Sequence, residues 1–363
     1  MGLTQKEIAK QLGISYMTVS RALNNTGYVS KQLKQKILAY AEQTGYEPHR
    51  ASQVLVRNTT RTIALFSSTL PVYFWDEIGK GVNVAAKQLK PFNYEVHYHR
   101  IPERDTQTYL AKLEEELQNG VDAIGLVNQR KYDMQAILNR IEQAKIPFVT
   151  FNIDAPQSNR LCYVGCDYAA GGRLAADFIA RALQLSPKKE VLVLQCYEED
   201  QTISEHPNIN KMRMEGFLDL MNRSFPDITV HVQYFDTKLQ VGYQDSQIKD
   251  LVQAYQPKVQ AMYLIPAFNT EFLKALETVD TSALITVVHD LDHAATRHLK
   301  TRVLSAVIDQ SPTLQGYYTV MALERTIESA QPKHLAQLSI DHNLILSENR
   351  SLIQGLLAAK LFS

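Results

Sequence analysis

The run ISYMTVSRALNN, residues 14–25, places Tyr16, Met17, Ser20 and Arg21 on one side of a short helix and Val19 and Leu23 on the other. An arginine, hydroxyls and an aromatic ring gathered on one exposed helix suit the major groove of duplex DNA. A guanidinium donates two hydrogen bonds to guanine, and Ser and Thr hydroxyls bind phosphate. A second set of polar residues is scattered but shares a pattern. Asn128, Asn152 with Asp154, Asp167, Asp290 and Gln310 each follow a short apolar run. Arg213 opens RMEGF, and Phe74 stands beside Trp75, the one tryptophan of the chain. Aromatic faces stack on the apolar faces of sugars, and Asp and Arg bind hydroxyls in pairs. Singly, such residues serve as helix caps or surface polar groups; their joint placement after apolar runs points to a pocket.

Around the first set, Thr4 and Glu7 have capping-box spacing before Ile8 and Leu12, and Gly13 breaks the helix they start. Ser15 caps the second helix, Asn24-Asn25-Thr26-Gly27 ends it, and Ser30 caps a third. That third helix carries Leu33, Ile37, Leu38 and Ala41 and stops at Gly45. Two short helices across a glycine turn are the helix-turn-helix pattern.

From Arg61 the texture changes to short apolar runs alternating with amphipathic segments. Strands are expected at 62–66, 94–97, 123–127, 148–151, 161–164, 191–194, 230–234, 261–264, 285–288 and 303–308. Helices are expected between many of them, such as 75–89, 106–119, 171–183 and 210–222. Strands separated by helices build parallel α/β sheets, whose ligands bind beyond the C-terminal strand ends. No GxGxxG, P-loop, nucleophile elbow or HExxH motif occurs, so no cofactor, metal centre or catalytic residue is expected and an enzyme is disfavoured.

The chain of 363 residues is 45% hydrophobic and 21% charged, enough for two or three domains. Its net charge is zero, yet residues 1–61 hold nine Lys and Arg against three Glu, a basic head on an acidic body. Cys162, Cys166 and Cys196 form no CxxC pair and read as buried thiols. No apolar run approaches the ~20 residues of a membrane span. The first 13 residues are polar where a secretory signal is apolar, so the expected compartment is the cytoplasm.

Residues 14–30, ISYMTVSRALNNTGYVS, with GYEPHRASQVL at 45–55, resemble the DNA-binding headpiece and hinge of the lac/gal repressor family. The resemblance implies that Tyr16, Met17 and Arg21 read base edges and that Ser15, Thr18, Ser20 and Asn24 contact phosphates. It also implies a hinge over 50–56 that becomes helical only on DNA, with Leu55 wedged into the minor groove at the centre of a palindrome. Six or so residues cannot hold a helix alone, so docking on DNA and on a symmetry mate must supply the difference. Ser52 and Val54 depart from the helix formers common there, which weakens that hinge.

FWDEIGKGV (74–82), TFNIDAP (150–156), VGCDYAAGGRLAADFI (164–179), MRMEGF (212–217), VVHDLD (287–292) and VIDQSP (307–312) resemble the ribose-binding-protein fold that forms the effector domain of the same family. This implies two doubly wound parallel-sheet subdomains flanking a ligand cleft, with Phe74 and Trp75 stacking on the ligand and Asp167, Arg213, Asp290 and Gln310 hydrogen-bonding it. Ile265-Pro266 departs from a usual Asn-Asp, with Asn269 only nearby, and Asn152 and Asp154 depart from a frequent arginine or aspartate. With Asp154, Asp167 and Asp290 converging against Arg213 alone, a neutral sugar or polyol is expected.

The expected organisation is a headpiece at 1–48, a hinge at 49–60, an N-subdomain at 61–187 and 310–340, a C-subdomain at 188–309 and 341–350, and a tail at 351–363. The functional expectation is a homodimeric, ligand-controlled repressor that binds an operator in double-stranded DNA. The alternative is a catabolite-control-type regulator that answers to a protein partner, with Ile265-Pro266 as the sign of a vestigial cleft. A transport binding protein fits the second part alone and leaves the headpiece unexplained.

Overall fold

The computed structural model describes residues 4–23, 28–44, 59–197, 208–236, 244–266, 269–329 and 337–349. The expected hinge lies almost wholly outside these residues, as do Asn24, Leu55, Gly45 and the tail.

The N-terminal unit contains α1 (Gln5–Leu12), α2 (Tyr16–Leu23) and α3 (Lys31–Gln43). Thr4 caps α1 through a full capping box with Glu7, whose side chain takes the Thr4 N–H at 2.7 Å. Gly13 ends the helix at φ 66°, a left-handed conformation that glycine adopts without the Cβ penalty. Ser15 Oγ accepts the Thr18 N–H at 3.1 Å to start α2. Ile8, Ala9, Val19, Ala22, Ile37 and Ala41 form the core of this unit. Leu38 of α3 is exposed, because the buried stripe runs through Ile37 and Ala41.

The rest of the described chain forms two six-stranded sheets of matching design. The first contains β1 (Arg61–Ser68), β2 (Tyr94–Ile101), β3 (Ala123–Leu126), β4 (Phe148–Phe151) and β5 (Tyr163–Gly165). Its helices are α4 (Val72–Leu89), α5 (Thr106–Gln118) and α6 (Met134–Ala144). The chain continues through α7 (Tyr168–Ala182) into the second sheet, with β6 (Glu190–Tyr197), α8 (Ile209–Ser224), β7 (Thr229–Asp236) and α9 (Gln244–Tyr255). β8 (Ala261–Leu264), α10 (Asn269–Leu276), β9 (Ile285–His289), α11 (His293–Lys300) and β10 (Ala306–Asp309) complete its body. It then returns to the first sheet with α12 (Pro312–Glu328) and β11 (Leu338–Ser339), and ends in the second with β12 (Asn343–Ile345).

The strand orders are β11-β5-β4-β3-β1-β2 and β12-β10-β9-β8-β6-β7. Pairing is parallel from β1 through β3, β4 and β5 to β11, while β12 runs antiparallel to β10. Order reverses between β1 and β3 and between β6 and β8, which are the switch points where such sheets open a crevice. Along β1, Ala64 and Phe66 face a core shared with α5 and α6, while Leu65 meets Gly125 under α12. Both faces are covered, so strand sequences read as unbroken apolar runs.

The first crossing between sheets falls near residue 167, ahead of the expected 188. Ala175, Ala176 and Ile179 of α7 pack with Val191, Val193 and Phe217 in the second core. An apolar stripe on α7 predicts burial but carries no mark of which sheet it covers.

Each subdomain has one helix crossing made backbone to backbone. A Cβ at Gly81 would lie 1.9 Å from the Thr313 carbonyl oxygen, and one at Gly316 2.1 Å from that of Ile78. In the second subdomain a Cβ at Gly172 would lie 1.9 Å from the Arg213 carbonyl oxygen, and one at Gly216 2.0 Å from that of Ala169. Backbone atoms cannot step aside as a side-chain tip can. Gly172→Ala is therefore expected to destabilise the protein by about 1–3 kcal/mol, the range for overpacking a tight contact. Denaturant melts of the two full chains check this; equal midpoints would show that the helices separate freely.

Candidate functional sites in the headpiece and the cleft

On α2 the buried side is Val19 and Ala22, which leaves Tyr16 (47% exposed), Met17 (61%) and Arg21 on the outer side. Ser15 Oγ and Thr18 Oγ1 lie 2.8 Å apart, so these two hydroxyls are held together at the helix start. Ser20 is half-buried on the same helix. Exposed apolar and aromatic groups beside an arginine are unusual on a helix this small. The N-terminal end of a helix such as α2 carries a partial positive charge, which favours anions.

In the second unit, a cavity of ≈ 270 Å³ opens where the strand ends of both sheets meet. Phe74, Trp75, Asn128, Asn152, Arg213, Asp290 and Gln310 all line it, as do Arg130, Lys131 and Asn208. Asn152 follows β4 at φ 60° and Asp290 follows β9 at φ 66°, left-handed conformations that Asn and Asp tolerate better than most residues. The turned backbone brings both side chains inward, where they join one network. Asn152 Nδ2 donates to Gln310 Oε1 (3.3 Å) and Gln315 Oε1 (3.2 Å), and Gln310 Nε2 donates to Asp290 Oδ1 (2.8 Å). The network thus ties the end of a first-sheet strand to the end of a second-sheet strand.

Arg213 is 2% exposed. Its Nη1 donates to the Ile265 carbonyl (3.0 Å), its guanidinium lies 5.7 Å from the centre of the Tyr168 ring, and its Nε has no hydrogen-bond partner among the described residues. Asp290 Oδ2 is 4.0 Å from Nη2, a gap wider than a hydrogen bond. A buried cation and a buried carboxylate that face one another without closing present two charged hydrogen-bonding groups to anything between them. The Ile265 carbonyl, at the departure Ile265-Pro266, is part of this cradle.

Phe74 and Trp75 pack edge to face, with ring centres 5.1 Å apart. Trp75 is nearly buried, and its indole N–H is taken by the Leu70 carbonyl at 2.8 Å. It therefore braces the wall more than it offers a face. Asn128 Nδ2 donates to the Asp154 carbonyl at 2.8 Å.

Two expected ligand residues lie elsewhere. The Asp154 carboxylate accepts from Thr150 Oγ1 (2.6 Å), the Ala155 N–H (2.8 Å) and Arg160 (2.7 Å), and so serves the loop after β4. Asp167 caps α7 by accepting the Ala170 N–H at 3.0 Å and pairs with Arg173 outside the cavity. The excess of aspartates that favoured a neutral ligand is thereby reduced to Asp290, while Arg130 and Lys131, with no periodic signal in the sequence, join the lining. Lys131 is paired with Glu103 at 2.5 Å. Tyr73, also unforeseen, buries a phenol that has no hydrogen-bond partner among the described residues; burial and then Asp290, Asp292 and Asp309 push its ionisation well above the ordinary range.

Residues 4–49 match the family of bacterial regulatory proteins, lacI family, and residues 63–331 match the periplasmic binding protein domain. The chain belongs to the periplasmic binding protein domain family and bears a lacI-family DNA-binding domain at residues 4–49. It is 33% identical over 157 residues to the probable HTH-type transcriptional repressor ExuR of Bacillus subtilis strain 168, covering 42% of this chain and 44% of ExuR. It is 28% identical over 263 residues to the ribose import binding protein RbsB of the same organism, covering 70% of this chain and 78% of RbsB. The chain spans about half the length of the curated regulators it matches, 44–51% among the first of them. Among solved structures, the arabinose binding protein AraP of Geobacillus stearothermophilus superposes with a TM-score of 0.67 at 18% identity, covering 80% of this chain and 98% of AraP. That likeness shows the fold. Among the described residues, no helix is long and apolar enough to cross a membrane.

Beside the cleft, burial and the nearby Asp290 and Glu77 push the Asp309 carboxyl up to about 7, while the Ser311 N–H, bound at 2.9 Å, works against the shift. A raised carboxyl holds its proton more tightly in the folded chain than in the unfolded one. Its support for the fold is complete below about pH 4 and is lost as pH climbs towards 7. Asp309→Asn is expected to raise the thermal midpoint at pH 8, with the gain shrinking towards pH 4.5. A gain independent of pH in that range would contradict the shift.

Proposed function

We propose that this protein is a cytoplasmic, homodimeric transcriptional repressor that binds a palindromic operator, under control of a polyhydroxylated ligand of monosaccharide size in the cleft. The observation that carries the reading is the buried pair Arg213 and Asp290, open to the cavity at 4.0 Å, in a chain that also bears a lacI-family helix-turn-helix. Ligand hydroxyls between the two groups would accept from the guanidinium and donate to the carboxylate, and the wall at Phe74 supplies apolar contact. The names of ExuR, a repressor, and RbsB, a ribose binding protein, support the two halves of the reading separately.

On the DNA side, Tyr16, Met17 and Arg21 would reach base edges, with Ser15, Thr18, Ser20 and Asn24 on phosphates and Leu55 as the wedge. Two-fold protein symmetry matches a palindrome, because each headpiece reads one half-site. Ligand binding joins groups from both sheets through Asn152, Gln310 and Asp290. It therefore favours one arrangement of the subdomains over others, and the effect on operator affinity equals the difference in ligand affinity between those states, typically ~1–3 kcal/mol. The site holds and releases a ligand; no step of bond making is assigned to it.

Arg21→Ala is expected to lose about 1–3 kcal/mol of discrimination at one base pair of the operator. Fluorescence anisotropy on operator and scrambled duplexes at fixed salt measures it, and unchanged preference would remove α2 as the reading helix. A thermal-shift panel of pentoses, hexoses, polyols and sugar acids should identify the ligand. With it, Arg213→Ala and Asp290→Asn are expected to keep operator binding and lose the response. If both variants respond like the parent, the cleft is not the ligand site.

A further inference from the structure

On the flank of the first sheet, β2 and α5 meet across an apolar core. His97 and His99 are two residues apart on β2 and so point to one side, the side that also carries buried Ile101. On α5 the buried stripe runs Tyr109, Leu113, Glu116, with a carboxylate where the spacing calls for an apolar residue. A buried carboxylate on α5 thus faces two half-buried histidines on β2. Glu116 is 3% exposed. His97 Nδ1 lies 2.9 and 3.0 Å from its two oxygens, and His99 Nε2 lies 2.7 Å from Oε1. The three donor atoms all fall within 4.8 Å of one another. The His99 ring is fixed by stacking on Phe66, with centres 5.0 Å apart and planes at 29°. Ring orientation set from behind is what the surroundings of a metal ligand supply.

We propose that His97 Nδ1, His99 Nε2 and a Glu116 oxygen bind one divalent transition-metal ion of the zinc type, with the remaining position open to water on the half-exposed His97 side. Imidazole and carboxylate together suit zinc and its neighbours, while magnesium and calcium take oxygen ligands. Tetrahedral zinc with N and O at ~2.0–2.2 Å needs donors roughly 3.3 Å apart. Two of the contacts must therefore open by about half an ångström from their present hydrogen-bonding lengths. A buried carboxylate is costly without a counter-charge, and the ion supplies one at a place far in sequence and in chemistry from the Arg213–Asp290 pair. By tying β2 to α5, a bound ion stabilises the first subdomain through mass action.

The test uses the full chain, stripped with a chelator and titrated with Zn²⁺ by calorimetry and with Co²⁺ by visible absorption. His97→Asn and Glu116→Gln are compared with the parent after circular dichroism shows the parent fold; Glu116→Gln keeps the side-chain shape. The expected result is one more equivalent of metal in the parent than in either variant, an intense tetrahedral Co²⁺ band only in the parent, and a rise in the parent's melting temperature with Zn²⁺. Metal uptake of equal stoichiometry and affinity in all three proteins, or none in the parent, overturns the proposal. Either of those outcomes makes Glu116 a carboxylate shared between two imidazoles. Ligand response at the cleft is unaffected by either variant, so the metal site and the cleft are tested separately.

Discussion

A guanidinium kept out of water must be held by fixed groups, and Arg213 sets that demand on the second subdomain. Leaving a charge buried without partners costs several kcal/mol, and the chain meets this with a backbone carbonyl, an aromatic face and a carboxylate held slightly away. Each of these depends on something larger. The carbonyl of Ile265 is placed by β8, and the Tyr168 ring by α7. The helix bearing Arg213 comes close enough only because residue 172 has no side chain. Asp290 reaches inward because the backbone after β9 turns left-handed. The incomplete contact between cation and anion is the part left for a ligand to finish.

The headpiece rests on a different economy of means. Its core is a handful of small and branched side chains, and its helix ends are fixed by local groups: Thr4 with Glu7, Gly13, and Ser15 with Thr18. With so little to bury, the residues that remain outside carry the specificity of the unit. Tyr16 and Met17 are large and apolar yet exposed, a combination that contributes nothing to this small fold.

What could be read from the sequence follows the range of the forces involved. Capping, glycine turns and strand runs act over a few residues, so Thr4, Gly13 and the strands from β1 to β10 are visible in one dimension. The cavity wall was also legible where a polar residue ends an apolar run, as at Asn152, Asp290 and Gln310. The same signal misled at Asp167, because an aspartate between strand and helix serves equally as ligand or cap, and here the Ala170 N–H claims it. Asp154 follows the same logic in its loop. Arg130 and Lys131 sit in an irregular segment with no period to mark them. His97, His99 and Glu116 meet only because β2 and α5 pack together, across 17–19 residues of sequence. The side chosen by α7 depends on which sheet its stripe meets, a tertiary fact.

The route of the chain has a further consequence, for the order in which the protein can mature. α12 and β11 belong to the first sheet but follow β6 to β10 of the second sheet in sequence. Gly81 faces Thr313, and Gly125 lies beneath Thr319 and Leu323, so the face of the first sheet that α4 covers in part is completed only when residues beyond 312 arrive. On a ribosome, the earlier-made half must wait for the later-made half to emerge before it can close. Nascent chains of this protein therefore carry an incompletely covered apolar surface while β6 to β10 are being made, the situation in which chaperones act.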